Sequence, residues 1–310
     1  MSLYRWIAVV CDGTSPPANT PMTRCARTIL LVLIVALTGC SAFPQARSGI
    51  EFDDGLSASD IFEHCLAAHG GDIHEYPGDI NIATDGRWYS VIRRIQPVVS
   101  DAGFRVTSEE RFRPRDGTYA IRHSGPAGNK YVVRTTSSIL VHYNGAAVDA
   151  DDERTRSTAM TNDAFRMFHF GPSFIKHRAT AMTRLPDARE AGRDYRRVLA
   201  SLRPGFGQSD TDHVVLWIDA ESSRLFRVHM TLEGFETTRG AHVDTTFLEY
   251  LQVGPYLLPS RFSERVRGPI RVLAHEWHIT GMDIDRGWTD ADVTGSDFSG
   301  RAAAPATRSP

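Results

Sequence analysis

Residues 213–232, HVVLWIDAESSRLFRVHMTL, form the clearest pair of strands in the chain. The segments 213–219 and 224–232 are rich in β-branched, aromatic and aliphatic side chains, which favour extended structure. Between them, 220–223 is a short polar connection of the kind that joins neighbouring antiparallel strands. The stretch therefore predicts a hairpin and gives the second half of the chain a β character.

The same character extends in both directions from this hairpin. Asn144-Gly145 is a strong signal for a tight hairpin turn, because both residues tolerate a positive φ. Strands that follow one another at about ten-residue spacing are typical of an antiparallel meander. We expect further strands at 88–95, 104–113, 118–122, 130–135, 139–143, 195–202, 245–251, 257–266 and 270–279.

Two regions have helical patterns. Residues 57–69 begin with Ser57 or Ser59 as the N-cap, carry apolar side chains at helical spacing, and end before two glycines. Residues 155–181 are rich in phenylalanine and methionine, and Gly171-Pro172 divides them into two short helices. Helices set among many antiparallel strands predict an α+β fold.

The N-terminal region has the three parts of a secretory signal. Residues 28–37, TILLVLIVAL, carry no charge, follow Arg24 and Arg27, and precede small residues. This run is too short to span a bilayer, which needs about 20 apolar residues. The sequence LTGC at 37–40 resembles a bacterial lipobox. That resemblance implies that Cys40 receives a diacylglyceryl group and becomes the first mature residue.

These observations divide the chain into four parts. Residues 1–39 are expected to be an upstream extension plus the signal peptide, with the true start at Met22 or at Met1. Residues 40–56 are expected to be a flexible tether. Residues 57–288 are expected to form a single domain. Residues 289–310 are rich in Ala, Gly, Ser, Thr and Pro and are expected to be a disordered tail.

Charge and cysteine content exclude some partners. The chain has 35 basic and 37 acidic side chains, a net charge of −2, so it lacks the positive field that nucleic-acid binding needs. After cleavage before Cys40, Cys65 is left as a lone thiol, which we expect to be a buried apolar residue on a helix. Nucleic acid is therefore not an expected partner.

No pattern in the sequence indicates a metal, a cofactor or a catalytic centre. His275 and His278 are three residues apart on an expected strand, which places their rings on opposite faces. The acidic run 149–153 lacks the glycine of a calcium loop. No nucleophile elbow or phosphate-binding loop occurs. Three further histidines recur every five residues: His64, His69 and His74. On a helix this spacing points their side chains in different directions, so they do not indicate a metal site.

Residues 217–225, WIDAESSRL, resemble the strand–turn–strand hairpin of the LolA/LolB-type superfamily. Residues 247–250 and 257–260 resemble the strand pair that follows in that superfamily. The resemblance implies a curved antiparallel half-barrel with helices covering its concave face. It also implies an apolar cavity that holds a lipid or an acyl chain.

The residues expected to line that cavity are the apolar ones of the interrupting segment and of the central hairpin. They are Phe165, Met167, Phe168, Phe170, Phe174, Trp217, Phe226 and Met230. An alternative is that they form an ordinary filled core.

We therefore expect a non-catalytic, lipid-anchored protein of the cell envelope, attached through Cys40. The serine after Cys40 favours the outer membrane, facing the periplasm, with the inner membrane as an alternative. One rival function is a structural or assembly lipoprotein that binds a partner protein. Another is a hydrolase whose catalytic residues are far apart in sequence.

Overall fold

The computed structural model of the chain describes residues 42–47, 49–293, 298 and 300–303. The signal peptide, both candidate start residues and Cys40 lie outside the described residues, so the lipidation of Cys40 stays a prediction. The α+β class is confirmed, because five α-helices accompany one antiparallel sheet in the described part of the chain.

Thirteen strands form this sheet, in the order β6-β5-β4-β3-β2-β1-β13-β12-β11-β10-β9-β8-β7. The sheet is open, with β6 and β7 at its edges, which confirms the predicted curved half-barrel. In chain order the strands are β1 (Ile80–Trp88), β2 (Thr107–Arg113), β3 (Thr118–Gly125), β4 (Gly128–Arg134), β5 (Ile139–Tyr143), β6 (Ala146–Val148), β7 (Ala179–Glu190), β8 (Arg193–Leu202), β9 (Asp212–Asp219), β10 (Leu225–Thr231), β11 (His242–Val253), β12 (Tyr256–Gly268) and β13 (Val272–Ile284).

Two meanders make up the sheet, and they join where β1 pairs with β13. The turn between β5 and β6 is the predicted Asn144-Gly145 pair, with φ of 50° and 85°. A two-residue turn with both φ values positive matches the right-handed twist of the flanking strands. At the far edge, Pro186 lies within a register shift of β7 between Leu185 and Ala188.

The helices lie on one face of the sheet, which we call the inner face. They are α1 (Ala58–Ala68), α2 (Ser90–Ile95), α3 (Pro97–Ser100), α4 (Glu153–Phe170) and α5 (Pro172–Lys176). Helix α1 begins at the predicted N-cap Ser57, whose side chain accepts a hydrogen bond from the amide of Asp60 in a capping box. Cys65 on this helix is buried, and burial raises the pKa of its thiol.

Helix α4 is enclosed by the sheet and the other helices, since 14 of its 18 residues are buried. Several of the buried residues are polar, and one of them, Asp163, is paired with groups from other elements. The Asp163 carboxylate lies 3.1 Å from the guanidinium of Arg178 and 3.4 Å from that of Arg134, and it accepts a hydrogen bond from the amide of Gly207. Such pairing is what allows a buried charge on an inner helix.

The strand predicted at 88–95 is wrong. The chain leaves β1 at Trp88 and forms α2 over Ser90–Ile95. Ile92 and Ile95, three residues apart, both line the space beneath α2, so burial on a helical face outweighs the β propensity of the isoleucines and valine. The long edge strand β7 was not anticipated from the sequence, because its mixed polar and apolar residues give no clear alternation.

The segments on either side of the domain contact its outer face, the side of the sheet opposite the helices. Phe43, in the region expected to be a tether, packs its ring 4.9 Å from that of His229. Asp54, closer to helix α1, instead forms an ion pair at 3.1 Å with Arg196, whose cross-strand neighbour Ile218 points into the core on the inner face. In the tail, Phe298 is buried against Ala120 and Val293, because this low-complexity segment still contains a large apolar side chain. The described part of the tail is therefore packed on the sheet.

A candidate binding site between the sheet and the helices

An apolar cavity of about 60 Å³ lies between strands β10–β13 and helices α2, α3 and α4. Its walls are almost entirely hydrocarbon, and its few polar side chains include Glu264 and His275, which lie 3.1 Å apart. The lining residues are Trp88, Ile92, Ile95, Gln96, Val99, Met160, Thr161, Ala164, Phe165, Phe168, Met230, Leu232, Thr238, Ala241, Val243, Glu264, Val266, Ile270, Ala274 and His275.

This cavity is small for a ligand site. Pockets that hold small molecules usually enclose about 300–1,000 Å³, so the described conformation is closed. Helices α2 and α3 form one wall, and neither has a side-chain hydrogen bond at its N-cap. Short helices without caps are weakly held by local interactions, which makes this wall the part of the enclosure that can move at the lowest cost.

A polar pocket adjoins the apolar cavity, and the two share Thr161 and Phe165 as lining residues. The pocket has a volume of about 10 Å³, which is the space of about one water molecule. Its remaining lining residues are Arg105, Ile121, His123, Lys130, Thr158 and Asn162. Four of the residues around this small space are polar and buried, and they come from a loop and three different elements: Arg105, His123, Lys130 and Asn162.

Several polar atoms in this pocket lack a hydrogen-bond partner in the described part of the chain. They are Nε of Arg105, Nδ1 of His123, and both Oδ1 and Nδ2 of Asn162. Arg105 donates one hydrogen bond, from Nη1 to the carbonyl oxygen of Val99 at 2.9 Å. Unpaired buried polar atoms are uncommon, since each costs about 1–3 kcal/mol. The four atoms belong to residues that line one small space.

The arginine at the centre of this pocket is held by aromatic rings rather than by a carboxylate. Its guanidinium carbon lies 4.9 Å from the ring centres of both Trp88 and Phe165, and these rings also line the apolar cavity. Among the described residues no carboxylate lies within salt-bridge distance of Arg105. The charge is therefore available to an anionic group that enters from the apolar side.

Burial sets the protonation of the neighbouring groups. It lowers the pKa of Lys130 to about 8, although Asp101 holds the ammonium group at 2.7 Å. Burial, together with the nearby charges of Arg105 and Lys130, lowers the pKa of His123 well below its ordinary value. At neutral pH His123 is therefore neutral, the ammonium group of Lys130 is paired with Asp101, and Arg105 is a cation without a carboxylate at salt-bridge distance among the described residues.

The structure brings together three of the eight residues predicted to line a cavity. Phe165, Phe168 and Met230 line the apolar cavity. The side chains of three others, Met167, Phe170 and Phe174, are buried elsewhere in the core.

The remaining two predicted lining residues are on the outer face. Trp217 stands beside its cross-strand neighbours Arg197 and Arg227, with each guanidinium carbon 5.2 Å from the ring. Phe226 stacks on Tyr195, with the ring centres 4.5 Å apart. Strand alternation explains this, because Leu216 and Ile218 on either side of Trp217 point into the core.

Sequence reasoning missed Arg105, His123 and Asn162. They belong to a loop, to β3 and to α4, and no spacing along the chain connects them. The histidines at 275 and 278 are separated as predicted: His275 is buried beside Glu264, whereas His278 is on the outer face, 3.9 Å from Asp85.

The outer face has a groove of about 400 Å³ across β1, β11, β12 and β13. Two ion pairs lie along it, Arg87 with Glu276 at 2.9 Å and Arg261 with Glu249 at 3.1 Å. Each pair is partly exposed, so each contributes little to stability. The groove thus has charged side chains along it, whereas the walls of the cavity on the inner face are almost entirely hydrocarbon.

None of the described helices combines the length and the apolar character that crossing a bilayer requires.

Comparison with known proteins finds similarity at the level of solved structures. No protein-family profile and no curated protein matches the chain. A LolA superfamily protein from Nitrosomonas europaea is similar with a TM-score of 0.47 and 9% identity, over 78% of this chain and 99% of that one. A putative outer membrane lipoprotein-sorting protein domain from Vibrio parahaemolyticus has a TM-score of 0.38 and 12% identity, over 76% and 97% of the two chains.

The lipoprotein LppX from Mycobacterium tuberculosis has a TM-score of 0.25 and 11% identity, over 56% of this chain and 87% of that one. A structure from the superfamily that the sequence resembles is thus among the solved structures similar to the chain.

Proposed function

We propose that this chain is a lipid-anchored protein of the cell envelope that binds an amphiphilic lipid or acyl chain between its sheet and helices, without catalysing a reaction. The observation that carries the proposal is the position of Arg105. A buried guanidinium without a carboxylate partner stands where an apolar cavity meets a polar pocket. The interior thus has an apolar end and a cationic end, which complement the hydrocarbon chain and the anionic head group of a fatty acid or an anionic lipid.

The energetics favour such a ligand over a purely apolar one. Each buried methylene contributes about 0.8 kcal/mol, so a long chain supplies most of the binding free energy. An unpaired buried cation is costly, and an anionic head that accepts hydrogen bonds from Arg105 and Asn162 would remove that cost. Charge-assisted hydrogen bonds are about twice as strong as neutral ones.

Binding requires the closed interior to open. The 60 Å³ cavity accommodates only a small part of an acyl chain, so we propose that α2 and α3 move away from α4 as the ligand enters. Met160 and Met230 line the same space, and unbranched methionine side chains repack readily around a flexible ligand. Movement of α2 and α3, together with repacking of Met160 and Met230, would then enlarge the cavity enough to hold the acyl chain.

Two measurements test this proposal. Native mass spectrometry of protein purified from a bacterial envelope should reveal a co-purified lipid. In titrations of delipidated protein, palmitate should bind at least about tenfold more tightly than methyl palmitate, because the ester cannot form an ion pair with Arg105. The variant Arg105→Met should remove this preference while it retains affinity for the ester.

The matched control is Arg94→Met, on the exposed side of α2, which should behave as the wild type. If neither ligand binds and no lipid co-purifies, ligand binding itself is contradicted. If both ligands bind equally to wild type and to Arg105→Met, the interior binds lipid but Arg105 does not recognise its head.

The anchor is a separate part of the proposal and has its own test. We propose that Cys40 carries the acyl modification and that the protein faces the periplasm from the outer membrane. Radiolabelled palmitate should enter the wild-type protein in its host and should not enter Cys40→Ser. Incorporation that persists in Cys40→Ser, or that is absent from both, would contradict lipidation at this residue.

Partner binding is a second candidate function, and the small cavity together with the 400 Å³ outer groove favours it. In this case the interior is simply filled, and Arg87, Arg261 and Glu276 recognise a polar protein surface. Charge reversal of Arg261 to Glu would then abolish partner capture. Lipid binding and the preference for palmitate would be absent.

A further inference from the structure

A carboxylate and two imidazoles meet at the rim of the helical layer, outside the cavity and the pocket described above. Nδ1 of His74 lies 3.2 Å from Oδ1 of Asp72, and Nε2 of His177 lies 2.7 Å from Oδ2 of the same residue. One nitrogen or oxygen atom from each of the three residues lies within 4.8 Å of the other two. The two imidazole rings are 4.2 Å apart, centre to centre.

Two distant segments build this cluster and are fastened to each other. Asp72 caps the short turn Ile73–Glu75, where its carboxylate accepts a hydrogen bond from the amide of His74. The amide of Ile73 donates to Oγ of Ser173 in helix α5 at 3.1 Å, which holds the turn against that helix. His177 follows directly at the C-terminal end of α5. The two segments therefore hold the three residues next to one another before any ligand arrives.

We propose that Asp72, His74 and His177 form a binding site for a divalent transition-metal ion of the zinc class. Two imidazoles and one carboxylate are a common donor set for such ions, and three protein ligands leave one position open. With bonds of about 2.05 Å, tetrahedral ligand atoms stand about 3.3 Å apart. The 3.2 Å between Nδ1 of His74 and Oδ1 of Asp72 is close to this value, and the 2.7 Å between Nε2 of His177 and Oδ2 of Asp72 is shorter by about half an ångström.

The exposure of the three ligands suits entry and release of an ion. The Asp72 side chain is 4% exposed, that of His74 is 19% exposed and that of His177 is 47% exposed. The Asp72 carboxylate is therefore the buried ligand of the site, and His177 is the ligand that faces solvent.

One neighbouring charge competes with a metal ion. Nζ of Lys176 lies 3.3 Å from Oδ2 of Asp72. The Lys176 side chain is 38% exposed, so it can turn into solvent when an ion binds. This competition makes a specific prediction, because removal of the ammonium group should increase the affinity of the site for a cation.

Zinc titration of the chain, purified without a histidine tag and stripped with a chelator, tests the proposal. Wild type should bind one equivalent of Zn²⁺, and its thermal unfolding midpoint should rise with zinc concentration. His177→Ala should weaken binding by at least about tenfold, since even indirect changes around a metal cost 10–100-fold. Lys176→Met should bind zinc more tightly than wild type.

The matched control is His278→Ala, because that histidine has a similar side-chain exposure of 43% and contacts only a single carboxylate. It should bind zinc as the wild type does. The proposal is overturned if wild type binds no zinc, or if His177→Ala binds it as tightly as wild type. Unchanged or weaker binding by Lys176→Met also overturns it, and this variant leaves all three ligands in place.

Discussion

Nδ1 of His69 lies 2.7 Å from the carbonyl oxygen of Leu257, and this contact ties the end of α1 to β12. The other ring nitrogen, Nε2, accepts a hydrogen bond from the amide of Leu225 at the start of β10. The imidazole must therefore be neutral, with its proton on Nδ1, because only that form donates to one strand and accepts from the other. One buried side chain thus joins the first helix to two strands.

This arrangement predicts a loss of stability in mild acid. Burial lowers the pKa of His69 from 6.5 to about 4, so between pH 6.5 and pH 4 the unfolded chain binds more protons than the folded one. The contribution is complete above pH 6.5 and is lost as the pH falls to 4. It amounts to about 3 kcal/mol at most, at 1.36 kcal/mol per pKa unit. Urea unfolding at a series of pH values measures it.

The variant His69→Gln retains a donor and an acceptor but cannot titrate in this range. In this variant the slope of the free energy of unfolding against pH should be smaller than in wild type, by up to about 1.4 kcal/mol per pH unit. His64→Gln, on the exposed side of the same helix, should leave the slope unchanged. A slope in His69→Gln equal to that of wild type would show that other groups cause the acid sensitivity.

Filling the apolar cavity should block lipid binding. Ala164 is a buried residue of α4 that lines the cavity, and Ala164→Leu would place a branched side chain in the open space. We expect less co-purified lipid, with a change in the free energy of unfolding below about 1.5 kcal/mol because the space is available. Native mass spectrometry and urea unfolding measure the two effects. Ala67→Leu, exposed on α1, is the control, and equal lipid in both variants would contradict the assignment of the cavity.

Glu110 should be essential for stability. Its buried carboxylate accepts hydrogen bonds from the hydroxyl groups of Ser108 and Tyr119 and lies 3.1 Å from Nε2 of His169. Although burial alone would raise it, these contacts lower the pKa of Glu110 below its ordinary value. Glu110→Met removes the carboxylate that accepts from Tyr119 and lies beside His169, and it should cost about 3–5 kcal/mol in urea unfolding.

The adjacent Glu109 provides the control for this change, because it points to the outer face and is partly exposed. Glu109→Met should cost less than Glu110→Met, because the ion-pair contacts of Glu109 with Arg111 and Arg301 are long, at 4.0 and 3.7 Å. If both variants lowered the free energy of unfolding equally, the buried contacts of Glu110 would contribute no more to stability than those of Glu109.

Phe43 should control the accessibility of the segment that precedes the domain. Its ring packs against three histidines of the outer face, with ring centres 4.9 Å away for His229, 5.9 Å for His242 and 6.3 Å for His213. Phe43→Ala removes these contacts and should speed tryptic cleavage after the exposed Arg47 several-fold, as followed by mass spectrometry. Gln45→Ala should have no effect. Unchanged cleavage in Phe43→Ala would show that the ring does not hold the segment.

Local signals in the sequence were sufficient for the elements that local chemistry determines. Ser57 caps α1 as predicted. At the central hairpin, the Asp219 carboxylate accepts a hydrogen bond from the amide of Ser222, and Ser223 has a φ of 58°. These features depend on residues within a few positions of one another, so the sequence alone reveals them.

Features that depend on distant contacts could not be predicted in this way. Residues 90–95 have β propensity, yet they form α2 because a sheet and another helix bury one side of them. Arg105 meets Asn162 across two elements, and Asp72 meets His177 across 105 residues. Trp217 and Phe226 are apolar, and their apolar character alone predicts an inward position. Instead they lie on the outer face, where arginine side chains and Tyr195 cover them.

The proline within the register shift of β7 has a consequence for crowding at a membrane. Pro186 cannot donate a backbone hydrogen bond, and a bulged edge is a poor template for another strand. Molecules that share a lipid surface, as proposed for this one, collide far more often than molecules in free solution. The irregular edge strand of the thirteen-stranded sheet would therefore let many copies share a membrane surface without pairing edge to edge and aggregating into fibrils.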